Sequence, residues 1–273
     1  MDTAWPPVII GVAPNGAYKT KKDHPRLPMT PKELAETAAA CRDAGAAMIH
    51  LHVRDHDGVH LLDEHAYRTA TAAVAAAVGK TMVVQITSEA GGRYRRHEQM
   101  AVVRAVVPEA VSLALREIVP DAAAEPEAAE FFAWLRRERI LVQPIVFSPE
   151  ELVRYYDLRR RGVLGEGPDF LLFVLGRYTK GQVSSPSDLL PYLAVHRGDV
   201  SWSMCAFGPL EHACAVTSAA LGGHVRVGFE NNLYVSDGGV ASDNAALVRQ
   251  AAEGARFLAR PIGTAEDFRF LYA

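Results

Sequence analysis

The chain has 273 residues, 49% hydrophobic and 22% charged, enough to bury a full core without disulfide or metal staples. With 29 Lys and Arg against 32 Asp and Glu the net charge is −3, which excludes a basic nucleic-acid-binding surface. Three cysteines, Cys41, Cys205 and Cys214, are an odd number without metal-type spacing and point to free thiols in a reducing, cytoplasmic setting.

At the amino terminus, Met1-Asp2-Thr3-Ala4-Trp5-Pro6-Pro7 lacks the basic and apolar regions of a signal peptide. No window reaches the roughly 18 apolar residues of a membrane span. Val8 to Val12 reads as a strand, followed by a polar loop carrying Asn15, Tyr18, Lys19, Lys21 and Lys22. Thr30-Pro31-Lys32-Glu33 starts a helix: Thr30 suits the N-cap, Pro31 the first helical position, and Glu33 completes a capping box. Gly45 ends that helix.

The next stretch, Ala46-Ala47-Met48-Ile49-His50-Leu51-His52-Val53-Arg54-Asp55, reads as a buried strand running into a charged loop. Residues i and i+2 of a strand share a face, so His50 and His52 project together. A pair of neutral imidazoles is an ordinary binding unit for a zinc-like ion, although a lone strand histidine serves equally as a core residue.

Further along, Glu64 to Val78 predicts a helix and Lys80 to Ile86 a strand ending in Thr87-Ser88-Glu89. His97 to Val107 predicts a helix, Ala110 to Leu115 a strand, Asp121 to Arg137 a helix and Ile140 to Val146 a strand. Ser148 to Arg161, Phe170 to Leu175, Ser185 to His196 and Val200 to Ala206 continue the alternation. Leu210 to Leu221, Val225 to Phe229, Asn244 to Leu258 and Thr264 to Leu271 complete it. Eight strand-like runs alternating with helices, with no linker or composition break, predict one (β/α)8 TIM barrel domain over residues 1–273. A doubly wound sheet is disfavoured because no Gly-x-Gly-x-x-Gly turn follows the first strand.

A barrel's active site lies at the carboxyl ends of its strands. That rule selects Asn15, His50, His52, Arg54, Asp55, Thr87, Ser88, Glu89, Arg116, Glu117, Ser148, Glu230 and Asn231. Glu230 ends the eighth strand, one strand away from the His50/His52 strand in a closed barrel. Two imidazoles and a carboxylate fit a catalytic divalent ion, Zn²⁺ by preference. Alone, Glu230 would serve equally as a loop cap or a partner of Arg54 or Arg226. Arg226 lies in an apolar strand, at i−4 from Glu230, and a buried arginine needs an anion, either a side chain or a substrate carboxylate.

His-Leu-His-Val-Arg-Asp at residues 50–55 and Gly-Gly-His-Val-Arg-Val-Gly-Phe-Glu-Asn-Asn at 222–232 resemble the β-keto acid cleavage enzymes, which include 3-keto-5-aminohexanoate cleavage enzyme. Leu27-Pro28-Met29-Thr30-Pro31-Lys32-Glu33, Phe173-Val174-Leu175-Gly176, Leu233-Tyr234, Gly239-Val240-Ala241 and Asn244 extend the likeness over nearly the whole chain. The resemblance implies a zinc-dependent barrel, tetrameric, with His50, His52 and Glu230 on the metal. It implies condensation of a 3-oxo acid with acetyl-CoA and cleavage of the product to acetoacetate and a new acyl-CoA.

The chain departs from that pattern at several strand ends. Asn231 stands where the family has the aspartate that resembles a base, and an amide accepts no proton at working pH. Glu89, in Thr87-Ser88-Glu89-Ala90-Gly91-Gly92, is the nearest alternative base. Tyr18 replaces the glutamate of relatives acting on amino-substituted acids, which points to a neutral or hydrophobic substrate side chain. Arg116-Glu117-Ile118-Val119 replaces a small turn, leaving Arg116 to bind an acidic group or to pair with Glu117. Gly208-Pro209 stands where relatives have Gly-Arg, which removes one cationic contact. Asn231 also leaves open a zinc-dependent hydrolase or lyase that uses no acetyl-CoA, or a small-acid binding protein.

Overall fold

The computed structural model describes residues 5–272; Met1 to Ala4, part of the amino-terminal stretch read above, and Ala273 lie outside them. Eight strands form the barrel: β1 (Ile10–Val12), β2 (Met48–Leu51), β3 (Val83–Thr87), β4 (Ala110–Ala114), β5 (Leu141–Val146), β6 (Phe170–Leu175), β7 (Ser201–Ala206) and β8 (His224–Val227). They close in the order β1-β8-β7-β6-β5-β4-β3-β2, every pair parallel. The expected (β/α)8 barrel is the observed fold.

Alternation within the strands builds two cores. In β6, Leu171, Phe173 and Leu175 pack outward in the main helix-facing core, while Leu172 and Val174 face the interior with Cys205 and Phe207. That double burial is why β6 reads as an unbroken apolar run. Helix α1 (Pro31–Ala44) starts as the sequence indicates, with Thr30 capping the Glu33 amide and the Glu33 side chain returning the bond.

Five departures are local. Val8 makes only an isolated bridge to Ile262, so β1 begins later than expected. Val53–Arg54 pair antiparallel with His60–Leu61, a ribbon hidden from periodicity by its two-residue length. Leu115–Ile118 form a single helical turn directly after β4, and the helix expected from Asp121 opens as a 3₁₀ turn, Ala122–Ala124, before Glu125–Arg137. The Ser185 helix likewise opens as a 3₁₀ turn, Pro186–Leu189, ahead of Leu190–Val195. No helix among the described residues is long and apolar enough to cross a membrane.

His224 opens β8 with its Nδ1 accepting the Ile9 amide at 2.9 Å, across the β1–β8 seam. Burial, with Arg260 nearby, lowers its pKa from 6.5 to about 3. The folded state therefore holds it neutral while the unfolded chain protonates it. Its contribution is complete above pH 6.5 and drains as pH falls through 6.5 towards about 3. Urea titrations at pH 7, 6, 5 and 4 should show wild type losing up to about 1.4 kcal/mol per pH unit more than His224→Asn. Equal slopes would mean that His224 titrates alike in both states.

Candidate metal centre and active site

His50 sits in β2, held between β1 and β3, and His52 follows the strand's end. Their Nε2 atoms lie 3.1 Å apart. Glu230 arrives from the loop after β8, with Oε2 3.6 Å from each of those nitrogens. Zinc with bonds of about 2.1 Å in a tetrahedron holds its ligand atoms about 3.4 Å apart, so these spacings suit one ion. Glu230 Oε2 and His52 Nδ1 are buried without hydrogen-bond partners. A cation between the three groups would satisfy the orphaned carboxylate oxygen.

The protonation states agree with that reading. Burial, helped by Arg226, lowers His50 to about 4, and burial, with His50 and His60 nearby, holds His52 well below the usual range. Both are thus neutral, as metal ligation requires. Burial pushes Glu230 upward, but the charges of Arg226, Lys19 and Arg177 outweigh it and keep the carboxyl below its ordinary value.

His52 and Glu230 are braced by groups distant in sequence. Asn15 grips the His52 backbone at two points, its Nδ2 donating to the carbonyl at 2.9 Å and its Oδ1 accepting the amide at 3.2 Å. Arg54 donates to the carbonyls of Asn15, Gly16, Lys19 and Gly58, fixing the loop after β1. Lys19 Nζ donates to the Glu230 carbonyl at 2.7 Å. Arg226, almost fully buried, meets Glu230 Oε1 at 3.4 Å and Cys205 Sγ at 3.3 Å. Gly228 turns the chain between Arg226 and Glu230 with φ +136°, and its amide donates to buried Glu211. Burial raises Glu211 to about 8.

Beside these three side chains opens a cavity. His50, Thr87, Glu89, Arg177, Arg226 and Glu230 are among its polar lining residues; Leu172, Val174 and Phe207, packed with Ile145 and Phe147, form an apolar wall. Glu89 carries one carboxylate oxygen 3.9 Å from His52 Nε2 and the other 3.7 Å from Arg177. Burial first, and Glu230 second, raise its pKa to about 7. Glu117 also lines the cavity, but its Oε2 already accepts the Ala90 amide and Gln99 Nε2.

Several expected site residues sit elsewhere. Arg116 does not line the cavity: it is paired with Glu151, not Glu117, and stacks between Phe147 and Tyr178 at 4.6 and 4.7 Å. Arg177, two residues beyond β6, is the guanidinium that reaches in. Asn231 is buried outside the cavity lining, with both side-chain polar atoms unpartnered. Ser88 is turned away, its hydroxyl donating to the Ser112 carbonyl at 3.2 Å. Thr87 does line the cavity, its Oγ1 accepting the Glu89 amide at 3.0 Å. Asn15 and half-exposed Tyr18 line an adjoining recess, where the Tyr18 ring lies 4.9 Å from the Arg177 guanidinium. Asn15's amide is committed to His52, so it holds that residue in place and is not free for substrate.

The sequence reading missed Arg177, Gln85 and the apolar wall. Gly176-Arg177 after β6 was open to the same strand-end rule that chose Glu230. Gln85, in register with His50, carried no such signal.

A closed (β/α)8 barrel with two imidazoles and a carboxylate at its carboxyl-terminal mouth has the build of a barrel enzyme. The profile of the beta-keto acid cleavage enzyme family matches residues 7–273, and the chain belongs to that family. It is therefore a carbon–carbon bond-cleaving transferase. It is 28% identical over 269 residues to 3-keto-5-aminohexanoate cleavage enzyme of Acetoanaerobium sticklandii, covering 96% of each chain. It is 27% identical over 277 residues to 3-oxoadipate:acetyl-CoA acetyltransferase of Cupriavidus necator, covering 97% of this chain and 94% of that one. Among solved structures, the complex of ObcA with oxaloacetate superposes with a TM-score of 0.73 at 18% identity, spanning 91% of this chain and 67% of that longer one. That likeness concerns the fold.

Proposed function

We propose that this chain, one barrel domain throughout, is a zinc-dependent enzyme that condenses a 3-oxo acid bearing an uncharged, apolar side chain with acetyl-CoA and splits the product to acetoacetate and a new acyl-CoA. The observation carrying the proposal is the convergence of His50, His52 and Glu230 on one point beside the cavity. When bound, the ion supplies Lewis acidity that makes the C2 proton of a 3-oxo acid easier to remove.

Glu89 takes that proton. It shares the cavity with the three ligands, whereas Asn231 is an amide and lies outside the lining. The carbanion at C2 attacks the acetyl carbonyl and expels the CoA thiolate. The thiolate then attacks the original keto carbon at C3, the C2–C3 bond breaks, and the acyl group leaves on sulfur. The electron pair returns to C2, which recovers a proton from Glu89 to give acetoacetate. Arg177, close to Glu89, steadies the negative charge passing through this end of the cavity.

The apolar wall supports the substrate class. Tyr18 led to the same expectation but stands in the neighbouring recess, so Leu172, Val174, Ile145, Phe147 and Phe207 support it instead. A tetrameric assembly, expected from the resemblance, belongs to this reading, as does a cytoplasmic setting, supported by three buried, unpaired thiols.

The test is a series of 3-oxo acids with lengthening alkyl chains, assayed with and without acetyl-CoA. Each methylene that reaches the wall adds about 0.8 kcal/mol of burial, so kcat/KM should climb about fourfold per carbon until the wall is filled. Glu89→Gln should retain zinc and lose about 10²–10⁴ in kcat. Acyl product without acetyl-CoA would indicate a hydrolase or lyase instead, and a preference for amino-substituted acids would refute the apolar assignment.

A further inference from the structure

Beneath the metal centre a row of buried polar side chains crosses the barrel interior. His50 Nδ1 lies 2.8 Å from Gln85 Oε1, and Gln85 Nε2 lies 3.1 Å from Gln143 Oε1. Gln143 Nε2 lies 3.1 Å from Ser203 Oγ, and Ser203 Oγ lies 3.2 Å from the carbonyl of Leu171. The four side chains come from β2, β3, β5 and β7, and each is at least 98% buried. Such a row among apolar neighbours survives only when its members satisfy one another.

The direction of the row follows from its far end. A backbone carbonyl can only accept, so the single hydroxyl proton of Ser203 points at Leu171. Ser203 Oγ must then accept from Gln143, which turns the Gln143 amide nitrogen to the serine and its oxygen to Gln85. Gln85 is forced the same way, nitrogen to Gln143 and oxygen to the imidazole. An amide oxygen can only accept, so His50 Nδ1 must carry the proton. Nε2, the atom facing Glu230 and His52, is left with its lone pair bare.

We infer that Gln85, Gln143 and Ser203 are positioning residues that fix His50 in the Nδ1–H tautomer, anchored on the Leu171 carbonyl, so that one metal ligand is preformed before any ion arrives. His52 provides the contrast. Its Nδ1 is buried with no partner, and its position comes from the Asn15 grip on its backbone. The ring next to the row is thus set in tautomer as well as in place, and the other only in place. Metal-ligating histidines are commonly oriented by an acceptor on the second ring nitrogen; here that acceptor is itself oriented by a chain ending at a backbone carbonyl.

The inference rests on the metal reading of His50, His52 and Glu230, and its test separates the two. Nitrogen-15 spectra of the histidines in full-length, zinc-free protein report the tautomer directly, and chelator competition reports zinc affinity. In wild type, His50 should show a protonated Nδ1 and a bare Nε2. Gln85→Leu should mix its tautomers and weaken zinc binding about 10- to 100-fold. Gln85→Glu keeps an acceptor facing Nδ1 and should retain both the tautomer and the affinity. Ser203→Ala removes the anchor three hydrogen bonds from the ring and should weaken zinc several-fold while the His52 signals stay put, a pattern that general loosening would not give. A bare Nδ1 on His50 in wild type, or unchanged tautomer and affinity in Gln85→Leu, would overturn the inference. A correct tautomer in a protein that never takes up zinc would refute the metal reading and leave the row standing.

Discussion

Glu230→Gln is expected to empty the metal centre and lower turnover by about 10³-fold or more, since metal polarisation is worth several kcal/mol in the transition state. It should also destabilise the fold. Arg226 is buried against Glu230 and Cys205, and loss of the carboxylate charge leaves a guanidinium without its anion, at a cost of about 3–5 kcal/mol. His52→Ala distinguishes the two effects. It removes a ligand but leaves the Arg226–Glu230 pair intact, so zinc and activity should fall as far while the urea midpoint falls much less. Equal stability losses in the two variants would show that the ion pair contributes little to the fold. Full activity in either would remove these residues from the chemistry.

Gly228→Ala should be the most damaging one-carbon change in the chain. Gly228 has φ +136°, and a Cβ there would be driven into the backbone of Ala13, just past β1, which has no side-chain freedom with which to yield. Strain at that φ and overpacking each cost about 1–3 kcal/mol, so a loss of about 4 kcal/mol is expected. The damage should spread to function. Glu230 lies two residues on and its amide donates to the same Ala13 carbonyl, so moving β1 from β8 displaces the carboxylate from the imidazoles. Gly238→Ala is the control: φ is +89° there too, but a Cβ meets open space, and only the strain should register. Comparable losses for both glycines would show that the close approach to Ala13 is not what the position requires.

Much of the barrel was legible because its signals are local and repeated. Apolar runs such as Phe170–Leu175 and caps such as Thr30 with Glu33 depend only on near neighbours. The His50/His52 pair was legible because a strand's period of two puts both rings on one face. Glu230 was legible through topology, since β1 neighbours both β2 and β8 in a closed barrel. What stayed hidden depends on side chains from strands far apart in sequence. Arg116 and Arg177 look alike in the sequence, yet Glu151 and two aromatic rings capture the first while the second reaches the cavity. Gln85 looks like any strand glutamine until its register with His50 is known. Asn231, which the strand-end rule selected, lies outside the cavity lining, whereas Glu89 lies within it.

One divalent ion held by side chains from both flanks of β1 is central to the proposed chemistry, and anomalous diffraction at the zinc absorption edge tests for it directly. Crystals of the purified chain should give a single strong peak per molecule, within bonding distance of His50 Nε2, His52 Nε2 and Glu230 Oε2, and absent from His52→Ala. No peak after zinc supplementation, or a peak held by other residues, would contradict it.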